Sequence, residues 1–135
     1  MKNILITVDD FERLLARMNY VPSTERLSIM ERQLYLKLLS AETISQLKIS
    51  KRVITMNSRV RLRESLTQKE IEVTITYPEN ANSRESKISI LSPVGVALIG
   101  QQKGDQVSWK IPSGIGQFEI IEILYQPESV GEYSL

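Results

Sequence analysis

The hydrophobic period of this chain changes near residue 48, and that change strongly limits what it can fold into. Before it, apolar residues recur every three or four positions, which is typical of amphipathic helices. After it, apolar and polar residues alternate, as they do in half-buried β-strands. We therefore predict an α+β fold in two parts. Residues 1–47 form a short antiparallel helical hairpin (a coiled coil), and residues 48–135 form an antiparallel β-sheet domain with one short helix.

The first part shows signals for two helices. Thr7 and Asp10 have the spacing of a capping box, and a helical pattern follows over residues 8–18. It stops before Pro22, because proline does not fit inside a helix. A second pattern covers residues 27–41. A short connector between two helices favours an antiparallel pair, and about a dozen residues at ~1.5 Å each make the first helix less than ~20 Å long.

The pattern of the second part predicts a series of strands with one helix. Ser92 has the position of an N-cap, Pro93 that of a first helical residue, and Gly100 follows the helix end. Alternation and turn residues predict strands at residues 59–63, 71–75, 87–91, 107–111 and 118–125.

Several classes of chemistry are excluded by missing residue types. The chain has no cysteine and no histidine, which removes disulfides, thiolate metal sites and the usual general base. Gly95 and Gly100 have the glycine spacing of a phosphate-binding loop, but Gln101 and Gln102 stand where lysine and serine or threonine are needed. We predict a protein that is not an enzyme, with no catalytic residue, metal site or cofactor.

The charge is concentrated in one stretch of a nearly neutral chain. The net charge is +1, yet residues 46–65 hold six basic residues and one acidic residue. Alternation places Arg59, Arg61 and Arg63 on one face of a strand. The stretch contains no aromatic side chain for stacking on bases, so we expect weak or no binding to free nucleic acid and a role toward an acidic protein surface. The alternative is a solvated sheet face.

No segment indicates membrane insertion or export. Nowhere do about 18 apolar residues run together, and the N-terminus lacks the apolar core of a signal peptide. We expect a cytoplasmic protein that does not bind membranes and is monomeric.

Three motifs resemble a known family. They are VITMNSRV at residues 53–60, ISILSPVGVALIG at 88–100 followed by Gly104 and Asp105, and EILYQPE at 122–128 followed by GEY. Their order is similar to that in the regulator of nucleoside diphosphate kinase (Rnk) family, relatives of the Gre transcription elongation factors. The resemblance covers about residues 50–135 and implies an FKBP-like C-terminal domain.

The resemblance also implies a partner and a binding site. Gre-type proteins dock at the rim of the secondary channel of RNA polymerase, and Ser92, Pro93 and Gly95 match the turn that makes this contact. Gre factors also stimulate transcript cleavage with two acidic residues at the hairpin tip, which help to hold a magnesium ion. Here Glu25 is the only acid between residues 18 and 27. We therefore expect polymerase binding without stimulation of cleavage.

Three alternatives stay open on the sequence. An FKBP-like domain is also compatible with a peptidyl-prolyl isomerase, although only 6% of the residues are aromatic. A Gre-type cleavage factor is the second. Direct modulation of nucleoside diphosphate kinase, which only the family name suggests, is the third.

Overall fold

A curled, mixed sheet of five strands forms the centre of the structure, a computed structural model that describes residues 4–18 and 28–133. The strand order is β5-β4-β3-β7-β6. These strands are β3 (Arg59–Glu64), β4 (Glu70–Thr76), β5 (Lys87–Ser89), β6 (Gln106–Ile111) and β7 (Gly114–Tyr125). The alternating segments of the sequence therefore do form strands, and β3 lies in the middle of the sheet.

The sheet is mixed, so the prediction of an antiparallel sheet is wrong at one edge. β3 pairs antiparallel with β4 and β7, and β6 pairs antiparallel with β7. β5 instead pairs parallel with β4. The reason is the connection between these two strands, which contains two short 3₁₀ helices, Pro78–Asn80 and Ser83–Glu85, and brings the chain back to run in the same direction.

The turn between β6 and β7 is tighter than the sequence suggested. Ile111 pairs with Gly114, so only Pro112 and Ser113 form the loop. Gly114 has φ +132°, a backbone angle that an L-residue with a side chain rarely adopts. Because Gly114 can take this angle, β7 begins four residues before the predicted start at Phe118.

The N-terminal part contains two helices and, in addition, two short strands that were not predicted. α1 (Val8–Met18) and α2 (Ile29–Ser40) lie between β1 (Leu5–Thr7) and β2 (Glu42–Ile44). β1 and β2 pair in parallel as a separate two-stranded sheet. The predicted connector around Pro22 lies outside the described residues.

Each helix begins at a side-chain cap. The Thr7 Oγ1 accepts a hydrogen bond from the Asp10 N–H at 3.0 Å, as the sequence predicts for the start of α1. At α2, Ser28 and Glu31 form a reciprocal capping box with both bonds at 3.1 Å. This box explains why α2 begins at Ile29 rather than at the predicted residue 27.

One hydrophobic core includes residues from both parts of the chain. Leu14, Leu34 and Leu38 of the helices belong to the same buried cluster as Leu62 of β3 and Ile120 of β7. The Leu5 N–H also donates to the Gly100 carbonyl at 3.2 Å. The helices are thus packed on the sheet, whereas the boundary at residue 48 stays a prediction. In the described ranges, no helix is long and apolar enough to cross a membrane.

A buried carboxylate ties α1 to the sheet domain. Asp10 is 4% exposed, and its Oδ2 accepts a hydrogen bond from the Met56 N–H at 3.0 Å. Burial raises the pKa of Asp10 to about 6, and the hydrogen bond from Met56 offsets only part of this effect. Ionisation of Asp10 therefore lowers the stability of the folded protein.

We expect Asp10→Asn to stabilise the protein at neutral pH. The folded protein binds the Asp10 proton more tightly than the unfolded chain, so this carboxyl lowers the free energy of unfolding as the pH rises from about 4 to about 6. Asparagine keeps an acceptor for Met56 without the charge. Urea unfolding should give a gain of about 1–3 kcal/mol at pH 7.5 and little difference at pH 4.

The matched control for this prediction is Glu12→Gln, because Glu12 is exposed on the same helix. It should change stability by less than about 0.5 kcal/mol at both pH values. A loss of stability in Asp10→Asn at pH 7.5 would contradict the assignment.

Candidate partner-binding surface

The start of α3 (Pro93–Leu98) is a fixed turn with an exposed proline. The Ser92 Oγ accepts a hydrogen bond from the Gly95 N–H at 3.0 Å and donates one to the Ser89 carbonyl at 2.7 Å. The first bond caps α3, the second holds Ser92 against β5, and Pro93 occupies the first helical position as predicted. The turn therefore presents Pro93 on a surface whose backbone is already ordered.

Gly95 is buried and allows α3 to approach β5 closely. A Cβ atom at Gly95 would lie 2.4 Å from the Ser89 carbonyl oxygen and 2.8 Å from the Ile90 Cα. Both neighbours are backbone atoms, which cannot move aside easily. Its expected role as a contact residue stays a prediction, but the geometry assigns Gly95 a packing role beneath the turn.

Lys37 connects α2 to the other end of α3. Its Nζ donates hydrogen bonds to the Val96 and Ala97 carbonyls, at 2.7 and 3.0 Å. Burial lowers the pKa of Lys37 to about 8, and the charge of Asp105 offsets part of this shift. The sequence analysis missed this residue, although its position between the buried residues Leu34 and Leu38 was an available signal.

A partly apolar groove of about 370 Å³ lies beside Pro93. Ile29 at the start of α2 contributes to it and is 76% exposed. On the other wall, the Trp109 ring is stacked on Phe118 with 4.0 Å between ring centroids. The groove extends the exposed surface around Pro93 with the side chains of Ile29 and Trp109.

The three arginines of β3 pair with carboxylates on a partly exposed face of the sheet. Val60 and Leu62 between them are buried, as the alternation predicts. The arginine ladder, as we call this face, consists of the ion pairs Arg59–Glu72, Arg61–Glu72, Arg61–Glu70, Arg61–Glu122 and Arg63–Glu70. Hydrogen bonds from Arg61 and then from Arg59 hold the pKa of Glu72 below its usual value.

The arginine ladder is therefore close to electrically neutral. Glutamates of β4 and β7 lie opposite the arginines in the strand register. The sequence suggested a basic patch because Glu70, Glu72 and Glu122 lie outside the basic stretch of residues 46–65. The role of Arg59, Arg61 and Arg63 in partner binding stays a prediction.

Two further sequence hypotheses gain no support from the described residues. Glu25, the predicted hairpin tip, lies outside them. Within residues 4–18 and 28–133, no group of three or more acidic side chains is placed to hold a metal ion. Each of the five main cavities is lined by at most one aromatic residue, which gives an isomerase pocket no support.

Comparison with known proteins agrees with this geometry. Residues 49–125 match the family described as "Transcription elongation factor, GreA/GreB, C-term". The chain belongs to the GreA/GreB family of transcription elongation factors. The matched segment includes all five strands of the central sheet and the whole of α3.

Individual relatives of this GreA/GreB family member cover different shares of the chain. The regulator of nucleoside diphosphate kinase of Escherichia coli K12 is 41% identical over 62% of this chain and 62% of its own length. Transcription elongation factor GreA of Thermodesulfovibrio yellowstonii is 36% identical over 79% of this chain and 70% of its own. The chain thus spans about three fifths of the length of the regulator it matches.

A solved structure extends the likeness to the N-terminal helices. The GreA/GreB elongation factor of Nitrosomonas europaea aligns with 93% of this chain and 100% of its own at a TM-score of 0.76 and 35% identity. The family resemblance indicated by the three motifs is confirmed by these matches.

We expect Gly95→Ala to destabilise this GreA/GreB family member by about 2–3 kcal/mol, because the added methyl group has to displace backbone of β5. Gly104→Ala is the matched control. Gly104 has φ +93° but open space around it, so its replacement should cost about 1 kcal/mol of backbone strain. Urea unfolding measures both. Equal losses in the two variants would show that the close approach at Gly95 is unimportant.

Proposed function

We propose that this protein is a transcription regulator that binds RNA polymerase through the exposed turn at Ser92 and Pro93, at the rim of the secondary channel. The observation that carries the proposal is this turn, fixed on both sides by Ser92 and lying within the segment that matches the GreA/GreB family. A rigid exposed turn binds with little loss of conformational entropy.

The surroundings of Pro93 support a protein partner. The adjacent groove offers exposed apolar side chains, including Ile29, beside the aromatic ring of Trp109. Apolar and aromatic residues of this kind contribute most of the binding energy in protein interfaces. Lys37 and Gly95 support the surface from behind by fixing α3 on α2 and on β5.

We further propose that the protein does not stimulate transcript cleavage and is not itself an enzyme. Completion of a two-metal site in trans needs carboxylates at the end of a long rigid element. α1 has 11 residues and is therefore about 16 Å long. The acids Asp9 and Asp10 lie in its first turn, and Asp10 is buried against Met56.

We also propose where the protein acts and in which oligomeric state. The protein would act in the cytoplasm as a monomer, with weak or no binding to free nucleic acid. Any contribution of the arginine ladder to polymerase binding would require Arg59 and Arg61 to exchange Glu72 for carboxylates of the partner. Such an exchange is sensitive to salt because the ladder is solvent-exposed.

We expect Pro93→Glu to weaken binding to core RNA polymerase by about tenfold or more, because it places a charge at the centre of the proposed contact. A carboxylate is favourable at the first position of a helix, so α3 should remain folded. The measurement is fluorescence anisotropy with the labelled protein, together with competition against a GreA factor.

The control is Leu66→Glu, which adds the same charge at a residue that is 90% exposed in the turn between β3 and β4. Its affinity should stay within about twofold of the wild type. If folded Pro93→Glu binds polymerase as tightly as Leu66→Glu, the proposed surface is wrong.

RNA cleavage in backtracked transcription complexes should stay at background when this protein is added, and Glu25→Ala should leave that result unchanged. The reason is that a single carboxylate cannot supply the pair that a Gre-type site needs. A GreA factor serves as the positive control. Strong RNA cleavage that disappears in Glu25→Ala would show instead that the protein is a cleavage-stimulating factor.

A further inference from the structure

The basic stretch of the sequence divides into two halves in the structure. The strand half forms the arginine ladder and is neutralised by glutamates. The loop half is Lys48, Lys51 and Arg52, and none of these has a carboxylate within 4.0 Å among the described residues. The same holds for Lys103, which lies beside Arg52. The unpaired positive charge is therefore in the loop and not on β3.

Three of these cations line one cavity of about 320 Å³. These cations are Lys51, Arg52 and Lys103. The lining of this cavity also includes Tyr125, Val130 and one carboxylate, that of Glu122. This volume is in the range of sites for small ligands. We call this space the cationic cavity.

Hydrogen bonds to backbone carbonyls hold the loops of the cationic cavity together. The Lys103 N–H donates to the Arg52 carbonyl at 2.9 Å, and the Arg52 Nη2 donates to the Lys103 carbonyl at 3.4 Å. The buried Gln126 Nε2 donates to the Ser50 and Val53 carbonyls, at 2.7 and 2.8 Å. The backbone that carries the cations is thus ordered before any ligand arrives.

The carboxylates nearest to the cationic cavity have other partners. Glu122 forms an ion pair with Arg61 at 3.5 Å, and Glu128 accepts a hydrogen bond from Thr55 at 2.7 Å. Glu132 accepts a hydrogen bond from the hydroxyl of Tyr125. The three cations in the cavity repel one another, and an anion bound between them would relieve this repulsion.

We propose that the cationic cavity binds a small organic polyphosphate. Phosphate oxygens would accept hydrogen bonds from Lys51, Arg52 and Lys103. The planar guanidinium of Arg52 can bind a phosphate group in a bidentate manner. The organic part would lie against Tyr125 and Val130. This site is separate from the Pro93 surface and does not rest on the proposed binding to polymerase.

The shape favours a small ligand over a macromolecule. The cations converge on a cavity, whereas a nucleic acid needs a basic stripe with several stacking aromatics, and Tyr125 is the only aromatic residue in this lining. An acidic protein segment would be recognised by a more open surface. The titration described next also tests binding of a nucleic acid and of an acidic peptide.

The test is a titration of the full-length ¹⁵N-labelled protein with inorganic pyrophosphate and, separately, with ADP, followed by NMR. We expect saturable shifts in residues 50–53, 102–104 and 125–130, with ADP binding more tightly than pyrophosphate. Arg52→Gln combined with Lys103→Gln should weaken binding at least about tenfold, because each lost charged hydrogen bond has a large effect on affinity. Arg52→Lys keeps the charge and should weaken it several-fold less.

The matched control is Lys69→Gln, which removes one exposed lysine in the turn between β3 and β4 and should stay within about twofold of the wild type. If the double variant does not fold, Lys51→Gln alone should still weaken binding. The proposal is overturned by three results: no shifts at about 10 mM of either ligand, equal weakening by Lys69→Gln, or shifts in the cavity only with a polyglutamate peptide or single-stranded RNA.

Discussion

The position of α3 depends on the missing side chain at Gly95. A helix normally stays farther from a neighbouring strand because Cβ atoms lie between the two backbones. Here the Cβ position would fall 2.4 Å from the Ser89 carbonyl oxygen, so only glycine permits the observed contact. The same carbonyl accepts the hydrogen bond from Ser92. One backbone group therefore sets both the depth of α3 and the conformation of the turn that leads into it.

A buried carboxylate and a half-buried lysine add direction to an otherwise apolar contact between the helices and the sheet. Lys37 reaches the carbonyl end of α3, where a cation is favourable to the helix dipole. Asp10 accepts the Met56 N–H from the chain segment before β3. Apolar packing alone tolerates sliding of a helix along its partner, whereas a hydrogen bond to one named atom does not. The proposed binding surface, which uses Ile29 of α2 together with Pro93, depends on this fixed arrangement.

Local patterns in the sequence predicted elements whose causes are local. Alternation around Val60 and Leu62 identified β3, and Ser92, Pro93 and Gly100 identified α3, because caps and periodicity act over a few residues. The strands β1 and β2 have three residues each, too few to show a period. The parallel pairing of β5 follows from the path of the preceding connection, which no residue pattern encodes directly.

The candidate site was predicted less completely, because its properties arise from distant residues. The arginines of β3 were visible, but their partner Glu122 is about 60 positions away and becomes a neighbour only through the register of β3 and β7. Lys37 and the Val96 carbonyl are likewise joined across 59 positions. Pro93 was identified because its turn is local and because the surrounding motif resembles a known family. The cationic cavity was missed, since Lys103 is far from Lys51 in the chain.

The parallel pairing of β1 with β2 has a consequence for how this architecture can vary. Leu5 lies opposite Glu42, and Thr7 lies opposite Ile44, so the chain leaves the sheet domain and returns to it at adjacent points. α1 therefore begins, and α2 ends, beside the same two-stranded sheet. Segments whose two ends are close together can be lengthened or exchanged with little effect on the rest of a fold. The residues that any replacement has to preserve are the buried ones, Asp10, Leu14, Met18, Leu34 and Leu38. A segment that keeps these contacts can differ in reach while the sheet and its surface stay the same.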